Sequence, residues 1–362
     1  MKERRKRNMS RTGLLFLLCL LMLCGCAQIT GFMENTEVSG REVESLAAEK
    51  EDDTVLLGGM PVGIYMETDG VLVLDTEKMT GMDGKEYTPA QGVVSSGDYI
   101  TEVNHQKIEG KKQLMDLVEH LDGEKVLLTV RHENTILEKK LTPVQISKGN
   151  YRLGIWVRDN VQGLGTITFL TKNNRFAALG HGIHDVDTST LLTIKRGTLY
   201  RTSIQKVQKG SKGNPGTMEG IIVYNRFHQL GVIEKNTDAG IYGELNSDRS
   251  WIGEEVPIQV AKKEEIKTGE ARIRCYIDGE VKEYTICITQ IDKESDQVNK
   301  GMVIQVTDTE LLEKAGGIIQ GMSGSPIIQN GKLIGAVTHV FVQDSTKGYG
   351  IFIENMLKEE ES

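Results

Sequence analysis

In "GGIIQGMSGSPIIQNGKLIGAVTHV", Gly316 to Val340, a serine sits among glycines between strand-like apolar runs. Two readings compete: Ser323 is a nucleophile, or it is a polar residue in a glycine-rich turn. A serine hydroxyl attacks only when a base takes its proton and N–H donors meet the developing oxyanion. The small residues of Gly321-Met322-Ser323-Gly324 permit a tight turn without Cβ clashes, so the N–H groups of Gly321 and Ser323 would converge on one oxygen. Ser325 is a rival hydroxyl, but Pro326 beside it removes an N–H, which ranks it lower.

The rest of the chain must supply a base and a setting. At 362 residues it has room for two domains or three small ones. The net charge of −8 is uneven: "MKERRKRNMSR" holds six basic residues and one acid, leaving about −13 on the remainder. An acidic body argues against nucleic acid as a partner. The exception is a basic segment, Lys195 to Lys212, which reads as a solvated surface loop. The apolar run Leu14 to Cys24 after the basic start is shorter than the about 17–25 residues of a membrane span and fits a secretory signal. An uncleaved anchor over Thr12 to Met33 stays open, as does a lipoprotein box with Cys26 as the lipidated residue. All three readings predict export, and the last two predict membrane attachment through the N-terminus.

Residues 1–32 are thus the leader, and the charge-rich residues 33–54 read as a stalk. From 55 to 145, "GVLVLD" and "KVLLTVRH" are strand-like, and Leu114, Leu117, Val118 and Leu121 mark one face of a helix. With "GMPVGI" and "SGDYITEVNHQKIEG", this unit resembles a PDZ domain. The resemblance implies a peptide-binding loop at Met60, Pro61, Val62, Gly63 and Ile64, although Pro61 removes one N–H donor. From 146 to 362, eleven strand-like runs predict a β-barrel or sandwich. Cys275 and Cys287 flank a hairpin turning at Asp278-Gly279. In that register Cys275 faces Lys282 and Cys287 faces Glu270, so the two thiols do not pair.

Among seven histidines, His105, His120 and His132 fall in the PDZ-like unit and should be surface residues, and His228 and His339 lack a supporting pattern. His181 in "FAALGHGIHD" differs: Ala177, Ala178 and Gly180 precede it, as small residues precede the base of chymotrypsin-type proteases, and it lies upstream of the serine. "GMSGSPI" likewise resembles their nucleophile loop, with departures at Met322 and Ser325. His184 with Asp185 invites a metal reading, but no other cluster has metal-ligand spacing, and no cofactor is expected. The carboxylate that would orient the base is not selected by spacing. Asp238 in "NTDAGIYG" and Asp308 in "VTDTELLEKAGG" are candidates, the latter also a helix N-cap.

The order of leader, PDZ-like unit and β-rich protease resembles the stage IV sporulation B peptidase family of endospore-forming bacteria. "FAALGHGIHDVDT", "QKGSKGNPG", "EKNTDAGIYG" and "VTDTELLEKAGGIIQGMSGSPIIQNGKLIGAVTHV" carry the resemblance. It implies a small α/β PDZ-like domain followed by a chymotrypsin-like β-barrel serine endopeptidase. His181 would be its base, Asp308 its orienter and Ser323 its nucleophile, with Asp238 the rival orienter. It also implies export to the space between the two forespore membranes and cleavage of a membrane-bound regulator of an intramembrane metalloprotease, which triggers pro-sigma factor processing. Self-cleavage near the N-terminus is expected, with the stalk its natural place.

Overall fold

The structure, a computed structural model, describes residues 54–361. The leader, Cys26 included, and the stalk up to residue 53 lie outside the described residues.

Alternation of buried and exposed residues, as along Gly269–Ile277 where Ala271, Ile273, Cys275 and Ile277 are buried and the residues between them are not, gives strands with one apolar face. Twelve of them close into two barrels, which bury those faces and leave no open edge. In the first, Pro61–Thr76 pairs with Ile155–Leu170, then follow Arg175–Ala178, Gly240–Leu245, Gln229–Thr237 and Ile194–Tyr200, which pairs back onto Pro61–Thr76. In the second the circuit is Gly269–Ile277, Glu280–Ile291, Met302–Val306, Asp344–Phe352, Lys332–Phe341, Pro326–Gln329 and again Gly269–Ile277. Every neighbouring pair in both circuits is antiparallel. Val62, Ile64, Met66, Phe176, Leu199 and Ile241 fill the first barrel, and Ile273, Tyr284, Ile286, Met302, Ile304 and Val337 fill the second. A separate cluster of Leu57, Phe169, Tyr242, Ile258, Leu333, Ile351 and Met356 joins residues of both. A C-terminal helix (Ile353–Glu361), beyond the last strand expected from the sequence, contributes Ile353 and Met356 to that cluster.

The expected small α/β unit is present. Val71, Val73, Ile100, Leu128 and Val130 pack under helix α1 (Lys111–Glu119), whose Leu114 is buried and whose Leu117 and Val118, with Leu121 just beyond, lie against the same core. The three histidines of the unit are exposed. Its position differs from expectation. The unit is inserted between two 16-residue strands, Pro61–Thr76 and Ile155–Leu170, which start or finish in the first barrel and pair with each other along most of their length.

The peptide-loop assignment of Met60 to Ile64 is thereby corrected. Met60, Val62 and Ile64 are buried in the first-barrel core. Val62 and Ile64 lie opposite Gly165 and Gly163 on one side, and Gly63 and Ile64 lie opposite Tyr200 and Leu199 on the other. A strand with a neighbour on each side has spent its N–H groups on the ladders and has none to offer a terminal carboxylate. Pro61 is accommodated as the first residue of the strand. Glycine is needed at 63 because a Cβ there would come within 2.7 Å of the Ile222 side chain.

The cysteine hairpin has the expected register, Cys275 opposite Lys282 and Glu270 opposite Cys287, with Asp278 and Gly279 both at positive φ in the turn. Both thiols are free. Cys275 is fully buried and Cys287 is half-buried.

Candidate active site

His181 follows the first-barrel strand Arg175–Ala178, and Ser323 precedes the second-barrel strand Pro326–Gln329. Both line one cleft of about 430 Å³, together with Leu164, Ile183, Ile318, Thr338, His339 and Val342.

The local sequence explains the histidine's placement. Leu179 and Gly180 both have positive φ (70° and 67°), which turns the chain sharply out of the strand. A Cβ on Gly180 would sit 2.9 Å from Ile351, so the small residue lets this turn pack against the second barrel. The loop beyond is held by the Asn236 amide, which accepts from Ile183 N–H (2.8 Å) and donates to Ile183 and Leu192 carbonyls (2.9 and 3.0 Å). Asp185 anchors it from below: its fully buried carboxylate accepts from Arg158 and from the Asp187 and Thr188 amides.

His181 Nδ1 is 2.8 Å from the Gly182 carbonyl oxygen. A carbonyl only accepts, so Nδ1 carries the proton and Nε2 is the free acceptor, the tautomer a general base requires. Burial in the cleft wall pushes the imidazole below its usual value. The Gly182 carbonyl opposes this, and the nearby His184 adds to it. The His339 ring lies against His181, with centroids 4.5 Å apart and planes 32° apart. His339 is itself pushed down to about 4, first by burial and then by His181. His181 is therefore neutral, and competent as a base, to lower pH than a free histidine. Because His184 lowers His181, His184→Gln is expected to move the acid limb of the kcat/KM profile upward, as a pH series of peptide cleavage would read.

The serine loop is clamped from the first barrel. Thr166 donates its Oγ1 to Gly321 O (2.8 Å) and its N–H to Ser323 O (2.9 Å), and the buried Thr168 donates to Gly324 O (2.8 Å). Gly321 and Gly324 have φ of 102° and 92°, and a Cβ on Gly324 would lie 2.0 Å from Thr166 O. Among the described residues, neither the Gly321 nor the Ser323 amide has an intramolecular acceptor. Ser323 Oγ donates to Thr338 O (2.7 Å). Ser325 is fully buried, with its hydroxyl turned away from any partner.

The two carboxylate candidates are placed elsewhere. Asp308 caps helix α2 (Thr309–Ala315): one oxygen accepts from Leu311 N–H (3.1 Å), the other from Thr285 N–H (3.3 Å). The strand Met302–Val306 separates it from Asn299, which accepts from Thr338 Oγ1 beside the cleft (2.7 Å). At roughly 3.3 Å per residue that strand alone spans about 15 Å. The assignment of Asp308 as orienter is thus corrected for this structure, where the Gly182 carbonyl fixes the imidazole. Asp238, at an exposed hairpin turn, lies 3.7 Å from His184 Nε2 rather than on His181. His184 faces Asp238 and Asp185 faces Arg158, so the His-x-x-His-Asp run splits between two partners. Asp308→Ala is expected to cost about 1 kcal/mol of stability, read as a lower thermal midpoint. A parallel loss on the order of 10⁴ in kcat of the folded protein would instead place this carboxylate on the imidazole.

The sequence pattern of the SpoIVB peptidase S55 family matches residues 149–357, more than half of the chain and the span holding both His181 and Ser323. The chain belongs to the SpoIVB peptidase S55 family. A curated Helicobacter pylori (strain J99) protein, named as a putative zinc metalloprotease, is 28% identical over 180 residues, 43% of this S55 chain and 50% of its own length. The chain thus spans about half the length of that relative. Among solved structures, the PDZ domain of the SdrC-like protein from Listeria monocytogenes is similar at 25% identity (25% of this chain, 87% of that one, TM-score 0.20). The HtrA-type protease AlgW with tripeptide is similar at 12% identity (54% of each chain, TM-score 0.33). The protein Rv3671c from M. tuberculosis H37Rv, inactive form, is similar at 15% identity (56% and 85%, TM-score 0.29).

Proposed function

We propose that this S55 chain is a sporulation signalling serine endopeptidase. In this reading it is exported to the space between the forespore membranes. There it cleaves the extracytoplasmic part of a membrane-bound regulator, triggering pro-sigma factor processing, and cleaves itself. The observation that carries the peptidase reading is one cleft holding Ser323, a His181 with an unprotonated Nε2, and two amides without acceptors at Gly321 and Ser323. Ser323 Oγ attacks a peptide carbonyl carbon once it turns from Thr338 O toward His181. His181 takes the hydroxyl proton and returns it to the leaving amine, and the two amides hold the oxyanion. The apolar wall of Leu164, Ile183, Ile318 and Val342 suits an apolar substrate side chain. Family membership supports the sporulation role. The first described strand begins at Thr54, so a cut within the acidic stalk spares both barrels.

The resting Ser323–Thr338 bond favours one rival, a catalytically inactive membrane-tethered peptide-binding scaffold on the same fold. Fluorophosphonate labelling separates the two. Labelling that disappears in Ser323→Ala establishes the enzyme, and an unlabelled wild-type chain establishes the scaffold.

A further inference from the structure

Residues 195–228 carry seven lysines and arginines against one acid, Glu219, a surplus of six positive charges in a chain whose net charge is −8. The segment begins in the first-barrel strand Ile194–Tyr200 and continues as a hairpin, Thr202–Gln208 with Thr217–Ile222, and the loop that follows it. The hairpin's inner side chains are spoken for. Ile204, Val207 and Met218 pack on the second-barrel core, and Ile222 lies over Gly63. Its outer side is not: Ile221 is 56% exposed, and in the loop Val223 and Phe227 are 43% and 82% exposed. Three large apolar side chains exposed within seven residues of chain are unusual for a folded surface.

The charges around them divide in two. Lys195, Arg196 and Lys206 pair with Glu109, Glu67 and Glu219, and Lys209 donates to Glu313 O. Among the described residues, no carboxylate lies within 4 Å of Arg201, Lys212 or Arg226, and Arg226 rests over the Phe227 ring at 5.3 Å. Exposed aromatic and aliphatic tips beside cations that have no carboxylate within ion-pair distance match the headgroup region of an anionic bilayer. The tips leave water there, and the cations meet lipid phosphates. A single-stranded nucleic acid would engage the cations and stack on Phe227 but leave the aliphatic Ile221 and Val223 uncovered.

We propose that the outer face of this hairpin and the loop Val223–His228 form a docking surface for an anionic membrane, with Phe227 at headgroup depth and Arg201 and Arg226 on phosphates. This goes beyond the peptidase reading and holds whether or not Ser323 is reactive. The face is tied to the cleft: Tyr224 packs on Tyr65 and Tyr200 (centroids 5.5 and 5.2 Å) and donates to Gln162 Oε1 at 2.5 Å, and Gln162 lines the cleft. Docking therefore holds the cleft close to the lipid surface, where the chain of a membrane-bound substrate emerges.

The test uses the full chain with Phe227→Trp, reconstituted with vesicles whose acyl chains are brominated near the headgroup. A control chain carries Ile136→Trp, which is 70% exposed on the small unit. In phosphatidylglycerol-containing vesicles Phe227→Trp fluorescence should be quenched and Ile136→Trp should not. High salt, or Arg201→Glu with Arg226→Glu, should restore the emission. Equal quenching of the two reporters would overturn the proposal, as would equal quenching in phosphatidylcholine alone. So would an unquenched Phe227→Trp whose emission responds only to an acidic polypeptide or an oligonucleotide. Because Phe227 buries so little of its surface, the substitution leaves the fold intact.

Discussion

Ser323→Ala is expected to abolish fluorophosphonate labelling and to lower kcat/KM by on the order of 10⁴ to 10⁶, with the thermal midpoint nearly unchanged. The size of the loss follows from removing the proposed nucleophile, whose hydroxyl shares the cleft with His181. Ser325, the other hydroxyl of the loop, is fully buried and away from the cleft lining. The intact fold follows from what holds the loop. Thr166 and Thr168 clamp Gly321, Ser323 and Gly324 through backbone carbonyls that an alanine keeps. Among the described residues the bond lost is Ser323 Oγ to Thr338 O, about 1 kcal/mol in a partly exposed site. Labelling that survived in the variant would move the nucleophile elsewhere.

Arg158→Leu is expected to have the largest effect on stability, about 3 kcal/mol at neutral pH, measured by urea unfolding. Arg158 reaches from the strand Ile155–Leu170 to the fully buried Asp185 carboxylate, and its other nitrogen bonds Asp187 at 2.8 Å. Burial alone would raise the Asp185 pKa. The Thr188 amide, Arg158 and the Asp187 amide outweigh it and hold the carboxyl below its usual range. In the wild type this contribution is present above the unfolded carboxylate value of about 3.9 and is lost as pH falls through the lower folded value. Without Arg158 the charge stays buried with only two amides, so Arg158→Leu with Asp185→Asn should recover most of the loss. Asp185 closes the loop that begins at His181, so failure of the double variant to recover would show that Arg158 acts through packing.

What could be read from the sequence was whatever local patterning enforces. The cysteine hairpin was legible because a two-residue turn at Asp278-Gly279 fixes the register of everything beyond it. Helix α1 was legible from its apolar spacing, and His181 and Ser323 from the small residues that sharp turns require. "GMPVGI" misled because glycines in a strand, placed there by the approach of Ile222, look the same as glycines in a loop. Asp308 read equally as cap and orienter, and only the strand between it and Asn299 separates the two. Thr166 and Thr168 carried no signal at all, and Asn236 was visible only as part of a segment that carries the family resemblance, with nothing to mark its role. Each meets its partners across more than forty residues of chain, through ordinary hydrogen bonds that any Thr or Asn could make.

The insertion of the small unit has a consequence for how this peptidase can be divided. The segment recognised as the S55 family, residues 149–357, holds every stave of the second barrel but only five of the six staves of the first. The missing stave is the strand beginning at Pro61, on the far side of the small unit. A chain trimmed to start at residue 149 would leave the edges of Ile155–Leu170 and Ile194–Tyr200 unpaired, with the His181 turn hanging from an open sheet. The small unit is therefore a bracket between two staves of the protease rather than a detachable accessory, and the smallest self-sufficient peptidase begins before it.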